Sequence, residues 1–330
     1  MILAGDIGGT KTSIAVFSLE NGKLVQQVKK SYSSKDFPSL EAVLEEFAAL
    51  HHAPIGAASF GVAGPVVDGM VKTTNLPWLV DSLALARGLG LDSVVLLNDL
   101  EATGYGAATL GAAEFNTLNA GASVAGVTRA LLAAGTGLGE AILYPVADSY
   151  RVLASEGGHA DYAPRTAIEI DLLRYLAARF GHVSYERVIS GPGLLNIYNF
   201  LKDSGRYAEP EWLRERLAAG DPSAEISEAA LAGAAEICVH ALDMFVSAYG
   251  AEAGNLALRA KALGGVYIGG GIAPKILDKL ADGAFMRAFV DKGRYAELLT
   301  RVPVRVILNP DTALRGAASY GAASLTGAAR

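Results

Sequence analysis

Cysteine is nearly absent from this sequence: Cys238 is the only one in 330 residues. A single cysteine excludes a disulfide framework within the chain and a cysteine-rich zinc site. Cys238 sits in the apolar helical stretch 234–245, which suits a small buried core residue and fits a reducing compartment. Charge is also sparse. Charged residues make up 19% of the chain and the formal net charge is −6, which argues against broad nucleic-acid or anionic-membrane binding while leaving room for a small basic pocket. No stretch reaches the ~18 uninterrupted apolar residues of a membrane span. The apolar segment 121–143 is broken by Arg129, Glu140 and several glycines. A strand expected from Ile2 leaves no room for a signal peptide. The expectation is a soluble, cytoplasmic protein with no nucleic-acid and no membrane partner.

What the chain does contain is apolar mass and glycine. Hydrophobic residues make up 51%, and there are 38 glycines, enough for a large core, many tight turns and close backbone approaches. The length suggests two domains or one large one. Strand patterns alternate with helix patterns, so the fold is α/β, and hairpins among the strands make each sheet mixed. Residues 39–47 predict a helix with Leu40, Val43, Leu44 and Phe47 on one face and Ser39 as cap. Residues 81–90 predict a second, with an Asp81 cap and a Gly90 stop. Buried strands are expected at 55–62, 93–97, 266–268 and 304–308. A helix follows Asn98-Asp99, a capping box opens one at Thr166, and a long helix is expected over 223–250, with Leu231, Ala235, Cys238, Leu242 and Phe245 along one side.

The stretch GDIGGTKT, residues 5–12, nearly spells a Walker A phosphate loop, but Thr10 stands where that motif needs glycine. The flanks read as strands rather than strand and helix, so the segment is the bend of a β-hairpin. Gly8 and Gly9 can take positive φ and turn N–H groups into one concavity, with Thr10 and Thr12 adding hydroxyls and Lys11 positive charge. Asp6 would repel a phosphate unless Mg²⁺ lay between them. An ordinary hairpin bend explains the same residues equally well. A second strand–glycine-turn–strand module recurs at 130–146, around Gly135, Thr136 and Gly137, and suggests a duplicated architecture.

Asn98-Asp99 follows a buried strand, where ligands gather in open α/β sheets. Asp99 there can take a proton from an attacking hydroxyl, or simply cap the next helix. Glu156 and His159, separated by two glycines, can bind sugar hydroxyls, a metal, or nothing. Glu186 reads locally as a solvated residue of a helix start capped by Ser184. Gly269, Gly270 and Gly271 permit flat contact with a base or ribose, without the dinucleotide-binding spacing. His51, His52 and His240 read as surface or structural.

In order, "GDIGGTKT", "LLNDLEA", "AAGTGLGEA", "SEGGHADYAP", "HVSYERVISGPGLLNIY", "GGVYIGGGIAPK" and "AFVDKGRY" resemble bacterial ATP-dependent glucokinases of the non-zinc type, within the actin-like, hexokinase-type ATPase superfamily. The resemblance covers residues 5–295. It implies two mixed-sheet α/β domains of the actin-like (ribonuclease H-like) type flanking a cleft, one of residues 1–110 with 311–330, the other of 111–310. It implies ATP, Mg²⁺ and glucose as cofactor and substrates, and a homodimer. It implies Asp99 as catalytic base, and Asn98, Asp99, Glu156, His159 and Glu186 as sugar ligands. For the nucleotide it implies Gly5, Asp6, Ile7, Gly8, Gly9 and Thr10, with Gly135, Thr136, Gly137 and Gly269 to Gly271. Lys11 departs from the Asn of the best-known members and matches the related repressor–kinase family, whose cysteine-rich zinc motif is missing here. A kinase for another hexose or an N-acetyl amino sugar, or one using polyphosphate, would keep the same machinery. A sugar-responsive repressor would need an N-terminal DNA-binding module, and a plain ATPase would turn over without sugar.

Overall fold

The computed structural model describes residues 1–50, 54–73, 76–122, 124–147 and 149–325; His51 and His52 lie outside them. The chain gathers into two compact units. One comprises Met1–Glu114, Ser149–Ala154 and Asn309–Arg330, the other Phe115–Asp148 and Ser155–Leu308.

The first unit is built on a five-stranded sheet. The opening strand Ile2–Ile7 pairs antiparallel with Lys11–Glu20, which pairs antiparallel with Lys23–Ser33. On its other side Ile2–Ile7 pairs parallel with Ala57–Val62, and that strand pairs parallel with Val94–Asn98. Period-two alternation divides the side chains between two faces. Leu3, Ile7, Ile14, Val16, Phe60 and Val62 join one core with the helix Leu40–Ala48 and its buried Leu40, Val43, Leu44 and Phe47. Ile2, Ala4, Ala15 and Phe17 point the other way, onto Leu314, Ala317, Ala318 and Ala322 of the terminal helix Thr312–Leu325. The predicted caps form: Ser39 accepts from the N–H of Ala42, Asp81 from those of Leu83 and Ala84, and Gly90 ends its helix at φ 66°.

Glycines set how closely the helices of the outer layer pack. A Cβ on Gly316 would overlap the carbonyl oxygen of Ala102, and one on Gly106 would overlap that of Thr312. The helix Asp99–Ala107 and the terminal helix therefore touch backbone to backbone. Gly316→Ala is expected to destabilise the protein by roughly 2–4 kcal/mol, the scale of overpacking a contact whose neighbours are backbone atoms. The midpoint of chemical denaturation checks this, with Ala318→Gly on the same helix as a comparison.

The second unit repeats the plan. Arg129–Ala134 pairs antiparallel with Leu138–Val146 and parallel with Val266–Gly269, which pairs parallel with Val304–Ile307; Phe115–Asn119 closes the edge antiparallel. An antiparallel hairpin followed by two parallel neighbours is the same order as in the first sheet, so the duplication legible in the glycine turns extends to topology. Its core forms around the buried helix Glu236–Arg259.

The expected long helix is two. Pro222–Leu231 and Glu236–Arg259 meet at 101°. Gly233 adopts φ 63° at the corner, and its N–H bonds to the carbonyl of Ala230. Glycine is the residue that takes this backbone without strain. Leu231 consequently falls outside the core and is exposed, whereas Ala235, Cys238, Leu242 and Phe245 are buried as expected. Among the described residues no single helix is long and apolar enough to cross a membrane.

Candidate functional site

In the first unit the GDIGGTKT segment is a hairpin bend, with Ile7 opposite Thr12 and the N–H of Gly8 bonded to the carbonyl of Lys11 at 3.0 Å. Three details differ from the sequence reading. Gly5 is not in the bend but inside the buried strand, where a Cβ would meet the Phe60 ring at 2.5 Å. Gly8 and Gly9 are not among the positive-φ residues. Thr12 is fully buried and its hydroxyl pairs with that of Ser34 at 2.9 Å, while the Ser34 hydroxyl donates to the carbonyl of Gly8 at 2.8 Å. Thr12 therefore braces the bend from beneath, and the exposed groups at its tip are Thr10 and Lys11.

The parallel register carries Ile7 to Val62 and Val62 to Asn98, so the bend and Asn98-Asp99 stand at the same end of the sheet. Asn98 is the helix cap. Its side chain accepts from the N–H of Leu100 at 2.9 Å and donates to the carbonyl of Gly64 at 3.1 Å, and Glu101 reciprocates by accepting from the N–H of Asn98. Asp99 is the first helical residue, exposed, with Oδ1 2.9 Å from the N–H of Leu100. The capping role considered for Asp99 thus belongs mainly to its neighbour.

Asp6 is partly buried, and burial first, then the charge of Asp99, pushes its carboxyl up to about 6 against the pull of Lys11. Asp311 also raises it and Lys29 lowers it; those two form an ion pair at 2.5 Å. Mutually repelling carboxylates beside the hairpin bend are the setting a divalent cation relieves. Mg²⁺ binds through one or two carboxylates, with phosphate oxygens and waters completing its shell. Asp6 fits that donor set, directly or through a water. Among the described residues no cluster of three or more His, Cys, Asp or Glu side chains is placed to hold a metal.

In the second unit four segments converge on the ends of the strands Arg129–Ala134 and Leu138–Val146. The glycine turn is closed by the N–H of Gly135 on the carbonyl of Gly137 at 2.8 Å. The Glu186 carboxylate accepts from the N–H of Leu138 at 3.0 Å and lies 2.6 Å from where a Cβ of Gly137 would stand. Glu186 is therefore attached to the glycine turn, on a 3₁₀ turn Tyr185–Arg187 rather than a Ser184-capped helix; Ser184 makes no side-chain cap bond. The α-helix begins later, capped by Ser190 on the N–H of Gly193 with Pro192 in its first turn. Gly270 has φ 83°, and a Cβ there would overlap the carbonyl of Ala134, which seats the Gly269 to Gly271 turn against the Gly135 turn.

Glu156 precedes the 3₁₀ turn Gly157–His159 and His159 ends it, both exposed, with His159 Nε2 3.9 Å from the Glu156 carboxylate. The glycines between them do not clear space for a ligand. A Cβ on Gly157 would overlap Glu140 Oε2, and one on Gly158 the carbonyl of Leu138. These glycines press the turn onto the strand below.

Several participants gave no sequence signal. Tyr249, fully buried, accepts from the N–H of Ala134 and reaches the carbonyls of Leu132 and Gly269, each at 3.3 Å, tying two strand ends together under the glycine turns. It reads in sequence as one more apolar helix position. Glu140 is buried, and burial followed by the charge of Glu252 pushes its carboxyl up to about 8. Asp311 and Lys29, 282 residues apart, are joined only by folding.

The glucokinase family model matches residues 3–324. A glucokinase of Nostoc sp. is 42% identical, over 96% of this chain and 98% of its own. Among solved structures, a glucokinase from an Antarctic psychrotroph superposes with a TM-score of 0.86 at 32% identity, covering 97% and 98% of the two chains. A ROK-family glucokinase from Streptomyces griseus, in complex with glucose and AMPPNP, superposes with a TM-score of 0.64 at 22% identity over 97% and 99%, a likeness of fold. The two mixed-sheet α/β units are those of the actin-like ATPase fold, as the sequence led us to expect.

Proposed function

Because this chain belongs to the glucokinase family, we infer that it transfers the γ-phosphoryl group of MgATP to the 6-hydroxyl of D-glucose, giving glucose 6-phosphate and ADP. The observation that carries the chemistry is the placement of Asp99, exposed at the sheet end beside the hairpin bend, next to Asn98, which closes the capping box. Asp99 takes the proton of the 6-hydroxyl as that oxygen bonds to the γ-phosphorus. The bond from phosphorus to the β–γ bridging oxygen breaks, and ADP leaves with its electron pair. Asn98, Glu156, His159 and Glu186 orient the sugar by hydrogen bonds to its hydroxyls. The Gly8–Thr10 bend and the Gly135–Gly137 turn receive the phosphates, and Gly269 to Gly271 lie against the nucleoside. Mg²⁺, held through Asp6 directly or by way of water, would neutralise charge on the phosphate oxygens when bound. A reducing cytoplasm suits the buried free thiol of Cys238, and the homodimer rests on family resemblance.

A coupled ADP-release assay tests this with glucose, fructose, mannose and N-acetylated sugars, each with ATP or polyphosphate. Glucose with ATP is expected to exceed every other pair in kcat/KM by at least roughly tenfold, the discrimination that well-placed hydroxyl contacts provide. Equal ADP release without sugar would overturn the reading in favour of a plain ATPase. A higher value for an N-acetylated sugar would move the substrate class.

A further inference from the structure

We infer that Glu140 and Glu252 form a proton-sharing carboxyl pair that positions the turn bearing Glu156 and His159, making glucose binding weaken as that proton is lost. The inference rests on the sugar-binding reading above. Both carboxyls are buried, Glu140 at 1% exposure and Glu252 at 0%. Glu140 comes from the strand Leu138–Val146 and faces Glu252 of the helix Glu236–Arg259, and its Oε1 is buried without a hydrogen-bond donor among the described residues, as a carboxyl awaiting a shared proton would be. Glu140 Oε2 is the atom on which Gly157 rests, so the floor beneath the Glu156–His159 turn is one of the paired carboxyls.

The pair also reaches the other sugar-facing segment. Asn255 donates to Glu252 Oε2 and to the hydroxyl of Tyr185, each at 2.8 Å. Tyr185 precedes Glu186, and its N–H bonds to the carbonyl of Ala160, the residue after His159. One buried network thus underlies both turns.

Burial and mutual repulsion disfavour charge on both acids at once. Arg259, at 2.6 Å, is the cation paired with Glu252. Lys292, from the loop after the helix Ala284–Val290, feels Glu252 too, and burial holds its proton affinity below that of an ordinary lysine. Facing the pair are therefore Arg259 and Asn255 from the long helix, Tyr185 from its 3₁₀ turn, and Lys292. Two buried carboxylates in contact cannot both ionise at low cost. The protonated form donates a hydrogen bond from one acid to the other and keeps Glu140 under Gly157. Loss of the proton sets two like charges against each other at that point. The upward shift of the Glu140 carboxyl agrees with this arrangement. Glu140 and Glu252 are positioning residues, since neither is among the exposed groups that face the sugar.

The test is the calorimetric Kd for glucose, measured on the full chain at intervals from pH 7 to pH 9, alongside kcat. With one coupled proton of pKa about 8, Kd is expected to rise roughly tenfold across that range, with kcat at saturating glucose changing much less. Glu140→Gln keeps the hydrogen bond without an ionisable proton. It is expected to hold its pH 7 affinity within about threefold and to lose the alkaline rise. Glu252→Gln, which also removes one of the two charges, is expected to flatten the profile and serves if the first variant folds poorly. An unchanged alkaline rise in either folded variant, or a flat wild-type profile, overturns the inference while leaving the glucokinase reading intact. Failure of the wild type to bind glucose at pH 7 overturns that reading, and the positioning role with it.

Discussion

Asp99→Asn is expected to bind glucose within about threefold of the wild type and to lose at least ~10²-fold in kcat, the lower end for removal of a general base. The amide matches the carboxylate in shape and still accepts hydrogen bonds through its oxygen, so a hydroxyl ligand is retained. It has no capacity to take the 6-hydroxyl proton. The substitution isolates chemistry because the helix start does not depend mainly on Asp99. Asn98 supplies the cap, closed reciprocally by Glu101, and Asp99 contributes a carboxylate in the first turn, worth only about 0.3–1 kcal/mol to an exposed helix end. Asn98→Ala should behave oppositely. It removes a cap bond and the bond to the carbonyl of Gly64, costing roughly 1–2 kcal/mol of stability, and weakens sugar binding with a smaller loss in kcat. Measuring kcat by ADP release, Kd by calorimetry and stability by denaturant separates the two residues. Near-normal kcat in Asp99→Asn would remove it from the base role.

The contrast between Asn98 and Asp99 shows where sequence reasoning ends. Apolar periodicity located the buried strands of both sheets and the face of the first helix, because period two and period 3.6 are imposed by backbone geometry alone; it missed the more exposed strands Lys23–Ser33, Phe115–Asn119 and Ser149–Ser155 and the short hairpin Met70–Lys72 with Leu79–Asp81, whose apolar content is too low to mark them. The hairpin character of GDIGGTKT followed from alternation after the bend, and the pairing of Ile7 with Thr12 bears it out. Which of two adjacent polar residues caps a helix is a different question. It depends on where helical dihedrals begin, a boundary that pattern leaves loose by a residue or two. The same limit produced the single long helix: Gly233 was visible, but its positive φ, and with it the 101° turn, is set by how the two helices pack. Glycine roles were the least legible. Gly5, Gly157 and Gly158 look like ligand-facing glycines in sequence, yet each is required by a neighbour from a distant segment: Phe60, Glu140 and Leu138. Contacts between sequence-distant groups, such as Lys29 with Asp311 or Glu140 with Glu252, leave no local trace.

Asp6→Asn is expected to make the protein more stable and nearly inactive, a combination that identifies a residue whose charge serves function at a structural cost. The folded carboxyl stands at about 6 instead of the ordinary 3.8, so between those values the native state holds a proton that the unfolded chain has released. Stability contributed by this group therefore falls as pH rises from about 4 to 6, and the deficit persists above 6. The rise corresponds to at most roughly 3 kcal/mol, and solvent screening at this partly buried group reduces it. Replacing the acid by its amide removes the repulsion from Asp99 and Asp311, so the melting temperature is expected to increase at pH 7 and to change little at pH 4. Activity should move the other way. If Asp6 helps hold the cation that accompanies ATP, its loss is expected to lower kcat/KM for MgATP on the order of 10²-fold, comparable to removing a preorganised electrostatic partner of the transferring group. In the wild type the acid limb of that parameter should lie near pH 6 at low Mg²⁺ and shift downward as Mg²⁺ is raised, since the cation favours the carboxylate. An Asp6→Asn protein equally destabilised at both pH values would instead make Asp6 a structural hydrogen-bonding residue, with no charge held in reserve for the nucleotide.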